Sequence, residues 1–221
     1  MIFGGNRHLF HPSPSGGIRV SFPSIGMLKK ILRFFLSGAF AVLPFATAVC
    51  AATLEEAARS QIGVTTSYDP AYRKLNYPGG DVPVQTGVCT DVVIRALRAK
   101  GLDLQKAVHE DMRGNFSKYP QNWGLKKPDP NIDHRRVPNL MTWFKRKGYE
   151  IPVSDSKSDY LPGDIVAWNL RGAITHIGIV SGKKSASGTP LVIHNIGSGT
   201  EESDVLFAFR KIIGHYRIPL E

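Results

Sequence analysis

The sequence predicts an α+β domain with helices packed on one side of an antiparallel sheet. Two observations lead there. Between Leu54 and Lys147 apolar residues recur at helical spacing, bracketed by capping and stop residues. From Asp164 to Arg217 they fall instead into short β-branched or aromatic runs, separated by Gly and Ser clusters. Helices first and strands afterwards describe one α+β unit, taken here as residues 53–221.

The first 52 residues stand apart. Met27-Leu28-Lys29-Lys30-Ile31-Leu32-Arg33 is a basic start, an apolar run from Phe34 to Val49 follows, and Cys50-Ala51-Ala52 closes it with small residues. That order is a secretory signal peptide over residues 27–52 and implies a periplasmic or secreted product. The run is shorter than the roughly 20 residues of a membrane span, and Pro44 interrupts it, so no stable membrane insertion is expected after cleavage. Residues 1–26, rich in Gly, Pro and Ser before a second methionine, read as an over-extended start.

Charge gives little direction. The net charge is +10, but the first 52 residues hold five basic and no acidic side chains, which leaves 23 basic against 18 acidic. That mild excess suits an anionic envelope polymer. The basic residues are scattered, with no zinc-finger spacing or RNA-binding signature, so nucleic acid is not an expected partner.

In order, Thr53 and Glu56 form a capping box for a helix that Gly63 stops. Val64 to Gly87 is a long loop with Pro70, Pro78 and Pro83, read as one wall of a cleft. Cys89 opens the next helix, whose Val92, Val93, Ala96 and Leu97 give one apolar face before Gly101. Asp103 caps a helix to Arg113; a second long loop runs from Asn115 to Arg136; Val137 to Lys147 is amphipathic, with Pro138 in its first turn. Strands are predicted at Asp164–Trp168, Ile177–Ser181, Leu191–His194 and Ile212–Arg217.

Once the leader is removed, Cys89 is the one cysteine left, so no intramolecular disulfide can form. A thiol at a helix N-terminus meets unpaired N–H groups and the positive dipole end, which favour the thiolate. The plainer reading is a small buried core residue. His176 enters one strand and His194 leaves the next. A hairpin through Ser181–Pro190 brings both to one end of the sheet, where His176 faces the Cys89 helix with His194 behind it. Nucleophile, base and orienter is the order that activates a thiol.

Tyr77-Pro78-Gly79-Gly80, Cys89 at a helix start, Gly163-Asp164-Ile165-Val166, His176-Ile177-Gly178-Ile179-Val180 and Val192-Ile193-His194 occur in the order of a known family. The chain resembles the NlpC/p60 cell-wall peptidases of the papain-like clan and, more closely, the bacterial domain family DUF1287. The resemblance implies a papain-like, NlpC/p60-type fold and an exported cysteine amidohydrolase or peptidase that cuts amide bonds in peptidoglycan stem peptides. It implies Cys89 as nucleophile, His176 as base, His194 as third member, Tyr77 near the thiol to assist the oxyanion, and neither metal nor other cofactor. The sequence departs from the pattern at Val88, where the family has Asp, and Thr90, where it has Ser. The stretch between Cys89 and His176 is also long, and its Trp123 and His134-Arg135-Arg136 are candidates for a different substrate wall, Arg being suited to carboxylates.

Two further readings use the same residues. One is an acyltransferase with the same triad, the other a catalytically silent envelope-binding module. Zinc ligation by Cys89, His176 and His194 is set aside because no CxxC or HxxxH spacing supports it.

Overall fold

The computed structural model describes residues 52–220. The expected leader, and with it the export signal, lies outside the described residues.

Helix α1 (Leu54–Arg59) starts at the predicted capping box: Thr53 Oγ1 accepts from the Glu56 N–H, and Glu56 returns the bond to the Thr53 N–H. The loop after it adds two short strands, β1 (Ser67–Tyr68) and β2 (Thr86–Gly87), paired in parallel. They pin both ends of that loop beside the start of α2 (Cys89–Ala99). Helices α3 (Leu104–Asn115) and α4 (Val137–Arg146) follow as predicted, α3 with Asp103 as its cap.

The last third is a five-stranded antiparallel sheet of order β6-β5-β4-β3-β7. Its strands are β3 (Ile165–Arg171), β4 (Ile174–Lys184), β5 (Pro190–Asn195), β6 (Thr200–Ser203) and β7 (Lys211–Tyr216). Strand β6 was not expected; Thr200-Glu201-Glu202-Ser203 has no apolar alternation and pairs as an edge beside β5. The mixed α+β architecture with an antiparallel sheet is as predicted.

Strand alternation splits the core into two layers. Ile165, Ala167, Ile177, Ile179 and Ile193 project onto α2, α3 and α4, where they meet Val93, Leu97, Leu104 and Leu140. Val166, Trp168, Val180 and Val192 project the other way, beneath Tyr160 and Leu206, with Phe209 packed alongside. The indole of Trp168 donates to the Leu206 carbonyl at 3.0 Å, which ties the covering segment to this second layer.

Candidate active site

Cys89 is the first residue of α2 and is 5 % exposed. Its loop is fixed from below and behind. Asp91 in the first turn accepts from the Val88 N–H at 2.6 Å and pairs with Arg135 through two contacts of 3.0 and 2.9 Å. Arg135 also donates to the carbonyls of Asp69 and Ala71, so it ties α2 to the first long loop. Asn195 at the end of β5 donates to the carbonyls of Gly87 and Ser67.

The sulfur sits in surroundings that favour the neutral thiol. Burial pushes its pKa up to about 12, and the Asp91 carboxylate adds in the same direction. The backbone N–H groups of Ile177, Thr90 and Cys89 itself oppose this and lose. Burial thus works against the thiolate that a helix terminus favours.

His176 and His194 do meet. His176 Nε2 lies 2.9 Å from His194 Nδ1, and His194 Nε2 lies 2.8 Å from Ser203 Oγ. Burial holds both rings neutral: it draws His176 down to about 3, helped by the neighbouring imidazole, and His194 down to about 4. The expected direction of His176 is corrected, however. In β4 it is Ile177 and Ile179 that face α2, so His176 turns to the second layer. Its ring lies 6.0 Å from that of Trp168 and 5.4 Å from that of Phe209. Among the described residues no hydrogen bond joins the Cys89 sulfur to either imidazole, and Nδ1 of His176 has no partner. On β4 the group that meets the sulfur is the backbone N–H of Ile177, the residue directly after His176.

Cys89 lines an open cleft of about 300 Å³, walled by Tyr68, Trp123, Arg135, Arg136 and Thr175. Trp123 and Arg136 thus stand where the sequence put a substrate wall, with the Arg136 guanidinium carbon 4.1 Å from the indole centroid. Three other candidates are corrected. Arg135 is consumed by its buried pair with Asp91. His134 is buried outside the cleft, where burial lowers it to about 4. Tyr77 is an exposed ring set edge-on to His109 at 5.2 Å, away from the thiol. The tyrosine at the thiol is Tyr68, whose phenol is raised to about 12, burial being the largest cause. Tyr68 and Asn195 were missed; the Ser67-Tyr68 pair preceding the first proline of the loop was the available signal for Tyr68.

Residues 55–218 match a protein family described as a domain of unknown function, DUF1287. The uncharacterized protein YijF of Escherichia coli (strain K12) is 61 % identical over 164 residues, which cover 74 % of this chain and 80 % of that protein. No solved structure matches.

Proposed function

The chain belongs to the DUF1287 family, and on that premise we propose that it is an exported cysteine amidohydrolase of papain-like, NlpC/p60-type fold, cutting amide bonds in peptidoglycan peptides. The observation that carries this reading is the cleft in which Cys89 opens α2 beside the N–H of Ile177, next in sequence to an imidazole already oriented through its far nitrogen. The ordered motifs shared with cell-wall peptidases support the peptide target, and the signal-like leader supports export.

The chemistry follows from the resting states. Because thiol and imidazole are both neutral, His176 acts as a general base in the attacking step. The His176 ring has to turn out of the second layer to reach the sulfur; it then takes the Cys89 proton as the sulfur bonds to the amide carbon. His194 steadies the ring through Nε2, with Ser203 behind it. The Cys89 N–H and the Tyr68 hydroxyl are the donors for the oxyanion. Collapse of the tetrahedral species breaks the C–N bond, and the imidazolium proton goes to the leaving amine. Water then attacks the thioester, giving a proton to His176, and the released thiol recovers it.

A specific observation also favours the silent binding module: no hydrogen bond joins sulfur and imidazole. Mass spectrometry of peptidoglycan fragments incubated with the mature chain and with Cys89→Ala separates the readings. New amine and carboxyl ends that require Cys89 support hydrolysis, and a lengthened peptide marks transfer instead. Identical fragment patterns overturn both.

A further inference from the structure

The Cys89 cleft has an uneven charge inventory. Among the described residues its only charged lining groups are Arg135 and Arg136, and none of its lining groups is a carboxylate. Arg135 is neutralised by the bidentate contact with Asp91. Arg136 is not matched in the same way. Its nearest carboxylate contact is Asp133 Oδ1 at 3.5 Å, the edge of hydrogen-bonding distance.

The Arg136 side chain keeps 16 % of its surface exposed, and its guanidinium carbon lies over the Trp123 ring, 4.1 Å from the centroid. Stacking fixes the plane of the fork and leaves its N–H edge for an in-plane acceptor, which suits a carboxylate better than a point charge would. Helix α4 begins at the same wall, with Val137 and Pro138 lining the cleft and no side-chain cap on its N-terminus. Its dipole adds to the positive sign there.

We propose that the Arg136–Trp123 shelf is a carboxylate subsite, so that the peptide accepted in the Cys89 cleft presents a free carboxylate close to the amide to be cut. This rests on the cleft's being the substrate site proposed above, and it narrows the substrate class to acidic or carboxyl-terminal peptides. Arg136 is then a specificity residue that holds substrate and takes no part in the bond change.

The test uses binding, with the nucleophile removed, so that it is read independently of turnover. The mature chain carrying Cys89→Ala is titrated calorimetrically with N-acetyl-Ala-Ala and with its carboxyl-terminal amide. The free carboxylate binds at least about tenfold tighter, the worth of one charge-assisted contact. Adding Arg136→Gln abolishes that preference, while Arg136→Lys keeps the charge, loses the fork and retains part of it. Equal affinity for the two peptides, binding of neither, or a preference that survives Arg136→Gln overturns the subsite. A carboxylate preference in a protein that cuts nothing refutes the hydrolase and leaves the subsite standing.

Discussion

A neutral thiol and a pair of neutral imidazoles make two measurable claims at the scale of single residues. Iodoacetamide at pH 8 reacts with Cys89 of the resting protein at least about tenfold slower than with free cysteine, since only the thiolate attacks. A labelling midpoint below pH 8 would instead reveal a stored ion pair. The histidines act through linkage. Their folded pKa values, about 3 and 4, lie below the usual 6.5, so the unfolded chain binds protons first as pH falls. Their contribution is whole above pH 6.5 and is lost towards pH 4, at about 1.4 kcal/mol per pH unit for each ring. Urea midpoints across that window therefore flatten with pH in His194→Gln relative to the parent; an unchanged slope refutes the neutral pair. Single residues were the least legible part of the sequence. Tyr77 sits beside Pro78 and two glycines and drew notice for that company, yet Tyr68 borders the sulfur because the β1–β2 pairing delivers it there. A three-dimensional fold-back of that kind leaves no periodic trace.

At the scale of elements, α2 depends on what lies under its first turn. Asp91 and Arg135 are 3 % and 2 % exposed, and removing one partner strands a buried charge. Arg135→Ala accordingly costs about 3–5 kcal/mol in urea unfolding, the penalty of breaking a buried pair. A cost below about 1 kcal/mol would return Arg135 to the list of free cleft cations. All four α-helices among the described residues could be read in advance, because caps, Gly stops and a one-sided apolar face act within a few residues of each other. The four apolar strands were equally readable. Strand β6 was not, since its pairing comes from β5 and not from its own side chains. The direction of His176 was misread: the sequence shows that it neighbours Ile177, but which of the two faces α2 is set by the register of β3 against β4, Trp168 opposite His176.

At the scale of the molecule, the sheet carries a core on each face, and the imidazole pair belongs to the layer without helices. Leu206 is fully buried there and touches none of the α2 core. Leu206→Ala therefore costs about 2–5 kcal/mol by cavity formation. It also broadens the ring signals of His176 and His194 in NMR spectra while the α2 amides keep their positions. Disturbance of α2 alone would contradict the two-layer division. One adjacency follows from this arrangement. Histidine and isoleucine occupy consecutive places on β4, so sliding that strand one step along its neighbours would trade the imidazole for a methyl-bearing side chain and invert both surfaces at once. An inserted amino acid between Gly172 and Ile174 is thus tolerable as hairpin slack, whereas the same insertion past Thr175 unmakes the protein's chemistry and its packing in a single stroke.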